Sequence, residues 1–413
     1  FLITIYANRS HCNMDEAKQV ACDAIEKAKD DLFTVSQDIW SHPEENFQEH
    51  HAHVALTTFL EKFGFNVEKN LHLPTAFRAV LGDGNIGPHV AVLCEYDALP
   101  EIGHACGHNL IAEVGVATAL GVKAAFEYVG KPVGKFTVLG TPAEEGGGGK
   151  IDLINAGVFN GVDVAMMAHP APYNGPAIGF LAIKTVTVKF LGKAAHASAF
   201  PWEGVNALDA AVLCYQNVSC LRQQMKPTWK VHGIIKKGGT KPNIIPEETE
   251  VEFYVRAPTK VELAVLEGKI HKCFESAAIS TGCRAEINWS TRPYLDVVNN
   301  MTVANIYRTN AVSVGVDFEK YGMPDGSHTS TGSTDMGNVS HVVPSIHPMF
   351  YIGSTAVNHT RDFTTVSGDR IAQPFTLAQG KALAMTALDI FSNPAILDKV
   401  KEEFNKAVQP NAE

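Results

Sequence analysis

Three short apolar runs, each broken at its end by a residue able to bind metal or move a proton, constrain this chain more than any other feature. Val90-Ala-Val-Leu-Cys94 gives way to Glu95-Tyr-Asp97 and then Pro100; Phe136-Thr-Val-Leu-Gly140 gives way to Pro142 and Glu144-Glu145; Asp163-Val-Ala-Met-Met-Ala168 gives way to His169-Pro170. Apolar runs of this length, closed by charge or proline, read as buried strands. In an open α/β sheet the ligand crevice lies outside the carboxyl ends of the strands. Three strands that each deliver an acid or a histidine there predict a functional site built on a sheet.

Between the first two runs lies His104-Ala-Cys106-Gly-His108-Asn109. Thiolate, imidazole and carboxylate are the ligand types of zinc and related divalent ions, and a carboxylate left over beside them can act as general base on metal-bound water. A lone Cys-x-His is more often incidental than ligating; its coincidence with the three strand ends gives it weight. Asn109 to Tyr128 is rich in Ala, Leu and Val without proline and predicts a helix. The Cys106-His108 loop then lies at a helix amino terminus, where thiolate character is favoured. Cysteine argues for zinc, while imidazole and carboxylate also admit manganese or cobalt. A cysteine hydrolase using Cys106 with His108 or His169 is the competing chemistry, but it leaves Glu144-Glu145 without a role.

At 413 residues the chain is long for one core and predicts two domains. A net charge of -10 argues against nucleic acid or an anionic membrane as partner. No run of about 18 uninterrupted apolar residues offers a transmembrane helix. The 8 cysteines form no compact framework, which favours a reducing compartment and predicts a cytoplasmic protein. Phe1-Leu-Ile-Thr-Ile-Tyr-Ala7 is apolar but too short for a complete signal peptide, and is read as a remnant ahead of Met14, outside the fold.

Ile183 to Phe190 alternates, with Val186, Val188 and Phe190 on one face, as a half-buried strand does. A helix from Asn206 to Gln224 follows, with Leu208, Ala211, Val212 and Tyr215 on one side. Two strands come next, around Val231-Ile235 and Glu250-Arg256, then a helix carrying Leu263, Leu266, Ile270 and Phe274, and a last strand at Arg284-Asn288. Strand-helix-strand-strand-helix-strand is the split βαβ, ferredoxin-like order. The expected architecture is an α/β catalytic domain over 14–182 and 297–413, its mixed sheet flanked by helices, with an inserted ferredoxin-like α+β lid over 183–296.

The strings Glu95-Tyr-Asp-Ala-Leu-Pro, Gly103-His-Ala-Cys-Gly-His-Asn, Thr141-Pro-Ala-Glu-Glu-Gly-Gly-Gly-Gly, Ala195-His-Ala and Asn358-His-Thr together resemble the metallopeptidase and amidohydrolase family that contains aminoacylases, auxin-conjugate hydrolases and p-aminobenzoyl-glutamate hydrolase. Within it the likeness is strongest to the branch of dipeptidases acting on β-alanyl-lysine-like substrates. The resemblance implies two divalent ions per chain, zinc or manganese, held by Cys106, His108, Glu145, His169 and His359, with Glu144 as general base. It implies that Asp97 orients an imidazole ligand from behind. Much of the family has Asp where this chain has Asn109, and the spacing leaves His104 as an alternative ligand. The lid is expected to form a homodimer, its His196 reaching the partner's site to stabilise the oxyanion. Arg256, alternating away from Val251, Phe253 and Val255, is expected with Asn243 to hold a substrate carboxylate. The expected substrate is a small dipeptide or an N-acyl amino acid. A non-catalytic binding protein on the same fold would show a lost ligand or base; none is lost.

Overall fold

Apolar runs alternating with amphipathic stretches give the amino-terminal part its elements: helices α1 (Met14–Lys27), α2 (Lys29–Ser41) and α3 (His50–Lys62), strands β1 (Asn66–Lys69), β2 (Phe77–Gly82) and β3 (His89–Cys94), α4 (His108–Val129), β4 (Lys135–Gly140), α5 (Gly149–Asn155), β5 (Val164–Met166) and β6 (His169–Ala171). The middle of the chain forms β7 (Ala182–Leu191), α6 (Ala207–Leu221), β8 (Lys230–Lys237), β9 (Glu248–Ala257), α7 (Lys260–Thr281) and β10 (Arg284–Trp289). The remainder forms α8 (Met301–Ser313), α9 (Met336–Ser340), β11 (Ser345–Ile346), β12 (Met349–Tyr351), α10 (Arg361–Ser367), α11 (Gln373–Ser392) and α12 (Pro394–Val408). This computed structural model describes residues 14–83, 85–323 and 332–408. It divides into two units, one made of the described residues of 1–179, 297–330 and 334–413, the other of Phe180–Asp296 with Gly332 and Ser333.

In the first unit the sheet runs β1-β2-β4-β3-β5-β11. β3 pairs parallel with β4 and β5, and β5 with β11, while β1, β2 and β4 pair antiparallel, so the sheet is mixed. All six residues of β3 are buried, as a central strand covered on both faces requires. β6 and β12 form a separate two-stranded parallel pair, so the expected strand Asp163–Ala168 ends at Met166 and His169 opens a new element. α4 starts at His108, one residue earlier than expected, and by length and composition is the described helix that could cross a membrane. It is instead buried in the core of this unit. Gly121 permits its close approach to α1 and α11, since a Cβ there would stand 2.9 Å from Ile25 Cδ1 and 3.0 Å from Ala384 Cβ.

α4 also carries a fully buried acid. Burial lifts the Glu113 carboxyl from 4.5 to about 7, with Ser36 and Gln373 beside it. The sign follows from linkage. Below pH 4.5 folded and unfolded chains both hold this proton; as pH rises toward 7 the unfolded chain releases it first, so stability falls by at most about 3 kcal/mol and then levels off. Glu113→Gln is expected to remove that fall. Urea unfolding should show the variant more stable than the parent at pH 8 and the difference gone near pH 4.5; a difference independent of pH would refute the titration.

In the second unit the sheet runs β10-β7-β9-β8 with every neighbouring pair antiparallel, which is the ferredoxin-like order. Val186, Val188 and Phe190 face its core, as do Leu263, Leu266, Ile270 and Phe274 of α7. The expected face of α6 is corrected. Ala207, Ala210, Ala211, Cys214 and Val218 are buried, while Val212 and Tyr215 are 46% and 39% exposed. The helix lays its small residues on the sheet, so close packing outranks side-chain hydrophobicity in choosing the face.

Candidate active site

The site gathers at the ends of β3 and β4, whose parallel register sets Cys94 opposite Gly140. Thr141 N donates to Cys94 O at 2.8 Å, so the two departing loops run together, one with Glu95 and Asp97, the other with Glu144 and Glu145. Cys106 and His108 flank Gly107, the residue before α4. Gly107 has φ +79°, and a Cβ there would lie 2.7 Å from Pro170 Cγ, so only glycine lets this loop close against the one bearing His169. Ala143 and His359 hold left-handed backbone as well, with φ 61° and 66°. Non-glycine residues rarely adopt it, and it persists where surrounding structure imposes it, as at functional sites. His359 N is tied to Ala105 O at 2.8 Å.

Asp97 organises the centre. One carboxylate oxygen lies 2.9 Å from His108 Nδ1 and the other accepts from Glu145 N at 2.9 Å. Both Asp97 and His108 are buried. Burial opposes charge on each, and each outweighs it for the other: the carboxyl is held below its usual range, the imidazole well above. With Asp97 on Nδ1, the His108 Nε2 is turned inward, where it has no hydrogen-bond partner. This is the placement expected of a residue orienting an imidazole from behind. His169 is fixed in the same way, Nδ1 to Pro170 O at 2.8 Å, leaving Nε2 at 3.4 Å from Cys106 Sγ.

The predicted donors converge in sets whose ligand atoms all lie within 4.8 Å: Cys106, His108 and His169 in one, Cys106, Glu145 and His359 in another. Cys106 belongs to both. Glu145 Oε1 is 3.3 Å from His359 Nε2 and 3.9 Å from His108 Nε2; Glu144 Oε2 approaches the same nitrogen to 4.0 Å. The adjacent carboxylates thus reach different neighbours, Glu145 the His359 side and Glu144 the Glu95 side. Burial, with Glu95 and Glu145 close by, pushes the Glu144 carboxyl well above the usual range, while His359 and His108 hold Glu145 below it against its own burial.

The thiolate character expected of Cys106 from the helix amino terminus is not there. Burial and then the Glu145 carboxylate push the thiol well above its usual range. A nucleophilic cysteine needs the opposite shift, so the structure favours a ligand that a bound cation deprotonates. His104 is not among the donors: its Nε2 lies 3.2 Å from Ile39 O in the helical layer. Asn109 donates to Ser36 Oγ at 3.2 Å and Ser367 O at 2.9 Å, a packing role that does not touch the centre.

Four residues of this site carry weak sequence signals or none. Glu95, Lys150 and Asp335 form a fully buried ion cluster, Lys150 Nζ lying 2.5 Å from Glu95 Oε1 and 2.6 Å from Asp335 Oδ1. His347 stands with its ring 5.6 Å from that of His169 and is kept neutral by burial. Glu95 had a signal, two residues before Asp97 at a strand end; the others had none. Nitrogen, sulfur and oxygen donors, with the carboxylates of Glu144 and Glu145 among them and only Glu95 and Asp335 paired to the ammonium of Lys150, make a site whose chemistry fits divalent metal.

The remaining candidates lie in the second unit. His196 is exposed; its Nδ1 accepts from Ser198 N at 3.3 Å and Ala199 N at 3.2 Å, which puts its own proton on Nε2. Asn243 is exposed beside it, its carbonyl accepting from Ala197 N at 3.0 Å. Arg256 is half-buried and donates to Ser333 Oγ at 2.8 Å.

A family model described as a peptidase dimerisation domain matches residues 179–282, nearly the span of the second unit. Xaa-Arg dipeptidase of Mus musculus is 51% identical, the match covering 97% of this chain and 95% of that protein. Xaa-Arg dipeptidase of Homo sapiens is 49% identical over 97% and 94%. A p-aminobenzoyl-glutamate hydrolase chain of Escherichia coli is 28% identical over 94% and 95%. Among solved structures, a dinuclear metal binding peptidase of the M20 family from Bacillus subtilis shares the fold, with a TM-score of 0.64 at 22% identity over 88% of this chain and 99% of that one. Identity of one half with a dipeptidase over almost the full length of both, on this fold, means that the chain belongs to the M20 peptidase family, a family of hydrolases.

Proposed function

We propose that this protein is a metal-dependent dipeptidase that uses two divalent ions per chain, zinc or manganese, to hydrolyse small dipeptides ending in a basic amino acid. One observation carries the reading: the two donor sets, one buried and one opening to solvent at His359, share Cys106 and lie against a carboxylate, Glu144, that neither of them uses. A divalent ion held there supplies Lewis-acid polarisation of the scissile carbonyl and acidifies a bound water. Glu144 takes the proton of the attacking water on its carboxylate and passes it to the leaving amine nitrogen. Asp97 keeps His108 in the tautomer that offers Nε2, and the Pro170 carbonyl does the same for His169.

His196 supports a further part of the reading, because a proton fixed on Nε2 suits donation to an oxyanion. We assign His196 to the site of a second copy of the chain in a homodimer formed through the lid, and Arg256 with Asn243 to the substrate carboxylate; the dimerisation-domain match and the fork geometry of arginine support this. The seven free cysteines described fit the cytoplasmic assignment.

The preference for a basic residue rests on the Xaa-Arg dipeptidase relative. A panel of β-alanyl-lysine, an Xaa-Arg dipeptide, an N-acetyl amino acid and p-aminobenzoyl-glutamate, compared by kcat/KM, is expected to rank the basic dipeptides first. Equal or faster turnover of the aromatic acyl substrate would overturn the dipeptide assignment and leave the amide-hydrolase assignment standing.

A further inference from the structure

Glu95 follows directly on β3 and has no solvent exposure. Its two carboxylate oxygens have unequal surroundings. Oε1 accepts from Lys150 Nζ at 2.5 Å; Oε2 has no hydrogen-bond partner and lies 3.5 Å from His108 Nε2. Leaving a buried carboxylate oxygen unpaired is unfavourable unless something else meets it.

Lys150 cannot meet it, because that ammonium is committed elsewhere. It also bonds Asp335 Oδ1 at 2.6 Å, while Lys150 N donates to Asp335 Oδ2 at 3.0 Å. The cluster therefore holds two carboxylates on one ammonium, and the excess negative charge is left on the oxygen that faces His108 and Glu144. These three residues place one ligand atom each within 4.8 Å of one another. The arrangement has the two parts of a built metal ligand: an oxygen aimed at the centre, and a rigid partner holding the other oxygen so that the carboxylate cannot turn away.

We propose that Glu95 is an additional metal donor of this site, acting through Oε2 on the ion held by His108, and that Lys150 and Asp335 are the clamp that positions it. The inference rests on the metal-dependent reading above. Its consequence is selectivity. A fixed carboxylate adds a hard ligand and a higher coordination number to one of the two positions, which shifts that position from zinc toward manganese or cobalt.

The test is metal content and affinity, with activity playing no part. Unaltered protein and Glu95→Gln, which keeps the size and the acceptor for Lys150, are loaded with manganese or zinc, dialysed against chelators of graded strength and assayed by elemental analysis. The expected result is that one of two ions is held roughly 10- to 100-fold more weakly in the variant, the scale on which supporting carboxylates tune metal sites, with manganese losing more than zinc and the second ion unchanged. Equal affinities and an equal manganese-to-zinc ratio in the two proteins would overturn the proposal. If unaltered protein holds no metal, the functional reading itself fails, and that outcome is distinct. Should the variant not fold, the cobalt-substituted parent decides. Weak visible absorption typical of five- or six-coordinate cobalt at one position supports the extra donor, and intense four-coordinate bands at both positions exclude it.

Discussion

Glu144→Gln is expected to retain both ions and to lose turnover by on the order of 10²-fold or more, the usual contribution of a general base. The argument is geometric. Cys106, His108, Glu145, His169 and His359 remain untouched, so the donor sets survive. Gln is isosteric, and at a position only 6% exposed it fills the space Glu144 occupies. What disappears is the carboxylate that we assign to take up the proton of the attacking water. Burial and then the neighbouring carboxylates raise its proton affinity, which suits a group that must hold a proton between the attack of water and departure of the amine. Elemental analysis paired with kcat on the same preparation checks this; a metal-replete variant with parental kcat would remove Glu144 from the mechanism.

Cys106→Ser is expected to fail differently, by loss of metal. Both donor sets run through Cys106, so both positions weaken together, by more than the roughly 10- to 100-fold that loss of a supporting residue costs. The serine hydroxyl resists deprotonation far more than the thiol and is a harder, weaker donor to zinc. Activity should fall with occupancy and return partly at high metal concentration. A Cys106→Ser protein with full metal and no activity would instead revive the cysteine nucleophile, against which the upward shift of the buried thiol now stands.

Much of the fold was legible because its signals are local. The period-two alternation of Val186, Val188 and Phe190 and the helical spacing of Leu263, Leu266, Ile270 and Phe274 depend only on which faces are buried, and the order of elements then leaves few ways to pair strands. The face of α6 was misread for a related reason. Val212 and Tyr215 look like core residues by hydrophobicity, yet a helix lying close on a sheet selects alanine and cysteine for contact. The split of the expected strand at Met166, with His169 pairing separately, likewise depends on register against β12, which the local run of apolar residues does not encode.

By itself the sequence offered the candidate ligand types and their order along the chain, because Cys106, His108, Glu145 and His169 each sit beside a glycine or a proline that marks them, while His359 carries no such mark. What only the tertiary structure decided is which groups share charge. Lys150 lies 55 residues from Glu95 along the chain and 185 from Asp335, with no pattern connecting them. His104 and Cys106 are two residues apart, yet one meets the Ile39 carbonyl and the other belongs to both candidate ligand sets. Burial is the physical reason. In a low-dielectric interior the cost of an unpaired charge is set by whatever stands within a few ångströms, and that neighbourhood exists only once the chain has folded.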